Sequence, residues 1–428
     1  MIHLALLLAL SDPAVLLDQT RFSVEPDAAG WRVVAQRAEI APRGWVDPTA
    51  GRSGQGALAL AGDGKAGVSG GWQKTVNGIE TGAWYRLTVE SRSAGVDFER
   101  QRVVARLDWR NARDERAGQP DYGTFHATPA EWNRTVLEAP APAGATQVRM
   151  QLLLSGAPQA TVWWDHVRLE KIDAPKPRRV RVATVNYRAQ DAHSAAESVA
   201  QFIAVAKKNV QHADLLVLPE AITISGNGLS YIDAAEPIPG PSTAALGQLA
   251  RDLNTYVVAG LMEREGASAY NTAVLIDRHG VLLGKYRKVY LPREEVEGGL
   301  TPGQSYPVFD TDFGRLGLMI CWDLQYADPA RALALGGAEL IAIPIAGGNL
   351  TLGHARAIEN HLFLVSSGYD YPTEIVDPDG KTVASAPEKP GVATAKIDLN
   401  QRYTDPWLGH MRDRFFVELR ADVPLTRR

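Results

Sequence analysis

From about residue 20 to residue 172, apolar and polar positions alternate in short runs. Trp84–Glu90, Arg102–Trp109, Gln147–Leu154 and Thr161–Glu170 follow the two-residue period of a strand with one face buried. Gly56–Leu60 is a shorter run of the same kind, and glycine-rich breaks such as Ala61–Gly64 and Ser69–Gly71 fall between them. This spacing predicts an all-β sandwich over 20–172.

Asp173–Arg179 holds two prolines and three basic residues, a stiff polar linker. Beyond it, over 180–428, the pattern becomes β/α. Val180–Val185 reads as a strand. Val199, Phe202, Ile203, Ala206 and Val210 then keep helical spacing. Leu215–Leu218, Tyr256–Gly260, Leu316–Ile320, Leu340–Pro344 and Leu362–Ser367 read as strands; Ala244–Leu253 and Gly353–His361 read as helices. Asp328–Gly336 reads as a helix capped by Asp328, with proline at its first position. Thr272–Lys285 and Glu374–Ala384 read as hairpins, turning at Asp277–Gly280 and Asp377–Gly380. The class is α/β behind an all-β domain.

The first 19 residues admit two readings. Leu4–Leu10 is too short to span a bilayer and fits the apolar region of a secretory leader, although no basic residues precede it. It also fits a first strand. Export to the periplasm or outside the cell is the preferred expectation, with the cytoplasm as the alternative. Composition is that of an ordinary globular chain, 45% apolar and 22% charged with a net charge of −4, so nothing advertises nucleic acid. One cysteine in 428 residues excludes an internal disulfide and any cysteine-based zinc site, and the nine histidines are scattered. No metal or cofactor is expected, nor a transmembrane segment.

Three chemically active side chains sit at the ends of apolar runs. Glu220 closes Leu215–Glu220, Lys288 lies in Lys285–Pro292, and Cys321 ends Gly317–Cys321. An acid, a cation and a thiol are the parts of a thiol-based acyl-transfer site. Each also has a structural explanation: a carboxylate capping the next segment, a solvated lysine, a small buried thiol. The combination argues for chemistry. His354 and His361 leave a cysteine–histidine alternative open.

These segments, in this order, resemble the nitrilase (carbon–nitrogen hydrolase) superfamily from about 180 to 400. The resemblance rests on Leu218–Glu220, Gly284–Pro292, Thr301–Gly303 ahead of Pro307–Thr311, Gly314–Asp323 and Arg356–Asn360. It implies a four-layer α-β-β-α sandwich and a Glu220–Lys288–Cys321 triad without metal. Glu220 would be the general base, Cys321 the nucleophile that forms a thioester, and Lys288 the oxyanion partner that also biases Cys321 towards thiolate. A second glutamate that orients lysine and water is expected among Glu294, Glu295 and Glu297, with Glu295 preferred. Trp322 and Tyr290 would border the substrate. The sequence departs from the family at Tyr290, at Tyr326–Asp328 and at Ile345–Asn349, positions that line or border the pocket. Asp323 after the cysteine favours amide or carbamoyl substrates over nitriles. Arg356 and Glu359 would lock a helix to its neighbours.

In the first domain, Trp163–Leu169 resembles the last strand of jelly-roll, carbohydrate-binding-like modules. That implies a glycan or envelope surface as partner, through Trp45, Trp72, Trp84 or Trp109, although such tryptophans are more often core. The nitrilase resemblance also implies a homodimer. The leading expectation is hydrolysis of a small amide; nitrile hydrolysis, acyl transfer to an amine, or an inactive binding protein are the alternatives.

Overall fold

The computed structural model describes residues 14–23, 30–52, 54–128, 131–371, 373–420 and 423. The chain divides into two compact units, one of Met1–Pro175 with Thr404–Arg428, the other of Lys176–Tyr403.

The first unit is built on two antiparallel sheets. One runs in the order Arg43–Asp47, Ala57–Ala61, Thr161–Ile172, Trp84–Ala94, Asn133–Pro140, Thr124–His126, with Ala14–Gln19 also paired to Thr161–Ile172. The other runs Arg32–Ala35, Ser69–Asn77, Gln147–Ser155, Val103–Arg110, Asp121–Tyr122. Alternate side chains of both sheets enter one core that includes Trp31, Trp72, Leu87, Trp109, Met150, Leu152 and Trp164. Two of the proposed sugar contacts therefore belong to that core. The Trp72 indole donates to Ala59 O at 3.1 Å and the Trp109 indole to Asp121 Oδ2 at 2.8 Å. Trp45 and Trp84 stay half-buried.

Two boundaries move. The leader-like stretch Leu4–Leu10 lies outside the described residues. Ala14–Gln19, placed with it in the 1–19 segment, is a strand instead, because its backbone pairs with Val167–Lys171. The C-terminal segment, assigned with 180–428, packs in the first unit. Helix Met411–Glu418 buries Phe415, Asp413 accepts from Thr124 Oγ1 at 2.7 Å, and the Arg100 guanidinium lies 4.0 Å from the Phe416 ring centroid. The short polar helix carried no periodicity that could have revealed this.

The second unit contains two six-stranded mixed sheets. The first runs Leu282–Arg287, Ser268–Ile276, Tyr256–Glu265, Leu215–Val217, Arg179–Asn186, Gly391–Asp398. The second runs Val308–Asp310, Arg315–Leu318, Leu340–Pro344, Phe363–Ser367, Thr373–Val376, Thr382–Ala386. Three central strands of each sheet are parallel. Val182, Leu215, Val258 and Leu275 of the first sheet share a core with Leu316, Leu318, Leu340 and Val365 of the second. The opposite side chains of the first sheet, Leu216, Val257 and Val274, pack with Val199, Phe202, Leu246 and Leu249. Those four come from helices Ala195–Asn209 and Pro241–Leu253. This is why the central strands read as continuous apolar runs: both of their faces are covered. Ser194 caps the first of these helices by accepting from Glu197 N, and Pro241 opens the second.

One cap differs from expectation. Helix Asp328–Leu335 has Ala327 at its N-cap with no side-chain bond. Asp328 lies inside the first turn, and its carboxylate accepts from the Tyr290 hydroxyl at 3.1 Å.

Candidate active site

Several parallel strands deliver functional groups just past their carboxyl ends, where open α/β sheets place their sites. Glu220 follows Leu215–Val217, Cys321 follows Arg315–Leu318, and Ala346–Gly347 follow Leu340–Pro344. Lys288 follows the antiparallel strand Leu282–Arg287.

Lys288 is 1% exposed. Its ammonium donates to Glu220 Oε1 at 2.9 Å and to Glu295 Oε1 at 2.7 Å. The Asn271 amide donates to the same two oxygens, at 2.7 and 3.1 Å. The other oxygen of Glu220 accepts from Ala346 N at 2.9 Å. The Tyr369 hydroxyl holds the backbone beneath, donating to Glu220 O at 3.1 Å. The Cys321 thiol donates to Gly347 O at 3.3 Å, so it sits on the segment whose preceding N–H binds Glu220.

Local backbone shape makes this possible. Cys321 turns from strand into a short 3-10 segment with φ of +38°, and Ala221 takes φ of +52° directly after Glu220. Left-handed conformations of this kind cost on the order of 1–3 kcal/mol outside glycine and persist only where the surroundings hold them. Gly260 is required by contact: a Cβ there would lie 2.7 Å from Glu220 Cα.

Electrostatics follow from burial. Desolvation acts to strip the Lys288 proton, but the charges of Glu220 and Glu295 outweigh it and hold the ammonium above its ordinary value. Glu295 is raised, first by burial and then by the charge of Glu220. Burial, then Glu220, pushes the Cys321 thiol up to about 12, against the opposing pull of Lys288 and of the Ala346 and Gly347 N–H groups. The expectation that Lys288 biases Cys321 towards thiolate is thus outweighed: the resting thiol is neutral.

The remaining sequence candidates separate clearly. Helix Arg293–Glu297 turns Glu295 inward, while Glu294 and Glu297 remain exposed to solvent. Trp322 is 38% exposed. Tyr290 stacks on Tyr326 with ring centroids 3.9 Å apart. The histidines stand elsewhere: His354 faces Glu374 at 3.1 Å and His361 caps the C-terminus of helix Leu350–Asn360. Arg356 bonds Glu359 and Leu324 O, tying that helix to the turn after Cys321. Among the described residues no group of three or more His, Cys, Asp or Glu side chains could hold a metal ion.

Sequence reasoning missed Asn271, Ala346, Tyr369 and Gly260. Asn271 left a faint signal, an amide at the head of the apolar run Ala273–Ile276. The others act through backbone or through packing, which no local pattern encodes.

The family described as carbon–nitrogen hydrolase matches residues 179–406, more than half of the chain. The chain belongs to the carbon–nitrogen hydrolase family. Hydrolase C26A3.11 of Schizosaccharomyces pombe (strain 972 / ATCC 24843) is 33% identical over 216 residues, covering 44% of this chain and 66% of that protein. Omega-amidase NIT2 of Homo sapiens is 29% identical over 245 residues, covering 51% and 83%. Omega-amidase NIT2-A of Xenopus laevis is 31% identical over 244 residues, covering 50% and 82%. Among solved structures, an amidase from Nesterenkonia sp. aligns at 25% identity and a TM-score of 0.46, covering 54% of this chain and 95% of that one. This carbon–nitrogen hydrolase carries its mostly β first unit in addition to the family region, since the match begins only at residue 179.

Proposed function

We propose that the second unit hydrolyses the carbon–nitrogen bond of a small amide or carbamoyl compound through a thioester on Cys321. The reading is carried by one observation: a buried lysine bonded to two carboxylates beside a lone thiol. Glu220 takes the thiol proton as sulfur attacks the carbonyl carbon. The S–C bond forms and a tetrahedral oxyanion develops. Two of the three N–H bonds of Lys288 are engaged by the carboxylates; the third has no acceptor among the described residues and is directed to meet that oxygen, with a backbone N–H beside Cys321 as second donor. Glu220 returns its proton to nitrogen, the C–N bond breaks and the amine departs. Water then attacks the thioester and gives a proton to Glu220; the C–S bond breaks, the acid leaves, and Glu220 passes the proton to sulfur to restore the thiol. Glu295 Oε2 receives no bond from the described residues, so it is the oxygen we assign to hold that water.

Amides are preferred because the relatives include proteins named omega-amidase. The test is ammonia release from small amides, carbamoyl compounds and nitriles, beside a Cys321→Ala control. Equimolar ammonia and acid that disappear in the control are expected. Equal release from the control would overturn the reading, and ammonia without free acid in the presence of an amine would mark acyl transfer.

We extend the reading to a four-layer α-β-β-α sandwich for this unit, supported by the core between its sheets and the core beneath helices Ala195–Asn209 and Pro241–Leu253. We further read the first unit as a jelly-roll-like module for a glycan or envelope surface. Its support is two antiparallel sheets around one core and the half-buried Trp45 and Trp84. Retention on insoluble polysaccharide, lost in Trp45→Ala and Trp84→Ala, is the expected result. Export rests on Leu4–Leu10 and is tested by cell fractionation; a homodimer is tested by mass in solution.

A further inference from the structure

We propose that Asp323 is a positioning residue that fixes the spacing of Cys321 and Lys288, so that it governs the chemical step and not substrate binding. The proposal rests on the thiol–lysine–glutamate reading above.

The geometry is that of a clamp. Asp323 is fully buried. Its Oδ2 accepts from the Tyr286 hydroxyl at 2.7 Å and from Ile320 N at 3.0 Å, and its Oδ1 accepts from Tyr290 N at 3.0 Å. Ile320 and Asp323 flank the cysteine; Tyr286 and Tyr290 flank the lysine at two residues on either side. One carboxylate therefore binds both segments that carry the reacting groups. Tyr286 is itself fixed: it is 1% exposed, its oxygen accepts from Val289 N at 3.3 Å, and its ring stacks near Tyr306 with centroids 6.3 Å apart.

Two further facts favour a role in the reaction. The Cys321 backbone is held in a left-handed conformation, and the bond from Ile320 N anchors the residue just before it. Burial also makes a charged bridge an expensive way to join two segments that neutral groups could join. What the charge adds is three charge-assisted bonds to one carboxylate, the one from Tyr286 at 2.7 Å. Stiffness matters here because a displacement of about 1 Å at a reacting centre can lower the rate by about 100-fold.

Asp323→Asn keeps the shape but accepts at only one oxygen, and sets an N–H group against Tyr290 N or Ile320 N. The expected result is a fall in kcat of about 10- to 100-fold with KM changed by less than about threefold. Tyr286→Phe, which keeps the carboxylate, should show the same pattern at about 3- to 10-fold, and the double variant should be little worse than Asp323→Asn alone. If Asp323→Asn does not fold, Tyr286→Phe carries the test by itself. Unchanged kcat in the folded variants, or an effect confined to KM, overturns the clamp. Retained activity in Cys321→Ala would instead overturn the thiol reading, so the two failures are told apart.

Discussion

Replacing Glu220 by glutamine should slow catalysis and speed up chemical modification of Cys321 at the same time. The thiol stands at about 12 instead of 9.0, through burial first and the Glu220 charge second. Three units correspond to about 4 kcal/mol in favour of the neutral thiol. At pH 8 about one molecule in 10⁴ then carries a thiolate. Glutamine keeps the shape but removes the charge, and it can accept from only one side, Ala346 N or Lys288 and Asn271, with its NH2 facing the other donor. A unit charge a few ångströms away at an effective dielectric near 20 is worth about 2–4 kcal/mol. With burial still opposing, the thiol should fall by about one to two units, and alkylation by iodoacetamide at pH 8 should rise about 10- to 100-fold. Ammonia release should fall by about 10² to 10⁴, because the proposed base is lost. The chain has a single cysteine, so intact-mass spectrometry reports this site alone. Alkylation that is unchanged or slower in the variant would refute the claim that the Glu220 charge holds the resting thiol neutral.

Lys288→Met leaves Glu220 and Glu295 buried without their cation and should destabilise the second unit by about 3–5 kcal/mol at pH 7. Because Glu295 is raised, the loss should shrink as pH falls and it takes up a proton; urea unfolding at pH 5 and 7 that shows equal losses would contradict this. Gly260→Ala drives a methyl against Glu220 Cα and should lower kcat by about 10- to 100-fold in a protein with a native circular dichroism spectrum; wild-type turnover would show that the backbone has room to yield. Asp323 is raised from 3.8 to about 6 by burial, so its contribution to stability is fully present below pH 4 and is lost as pH rises through 6, by up to about 3 kcal/mol. Relative to Asp323→Asn, the wild type should lose that much between pH 4 and 7 in urea unfolding, and parallel pH dependences would count against a buried ionised carboxylate.

The elements of the second unit were largely legible because their strands are covered on both faces and so appear as unbroken apolar runs. Leu340–Pro344 was read at the bounds the structure gives it, and the hairpin turn at Asp277–Gly280 matches the bond from Gly280 N to Asp277 O. In the first unit the alternation of Gln147–Leu154 announced a half-buried strand. Short edge strands such as Arg32–Ala35 and Asp121–Tyr122 escaped, since a few residues carry too little period to register.

Of the site, residue types and their order were written in the chain: a glutamate, a lysine and a cysteine, each closing or following an apolar run. Their partners were not. Glu294, Glu295 and Glu297 lie in one helical turn, and helical spacing puts the first and last of them on a common face opposite Glu295. Which face turns inward depends on where the helix docks beside Lys288. Asn271 bridges two carboxylates that lie 51 and 24 residues away, and Ala346 reaches Glu220 over 126. Local sequence dictates periodicity, caps and turns because those forces act within a few residues. The charge balance around the thiol is a property of groups brought together by packing, so only the folded chain decides it.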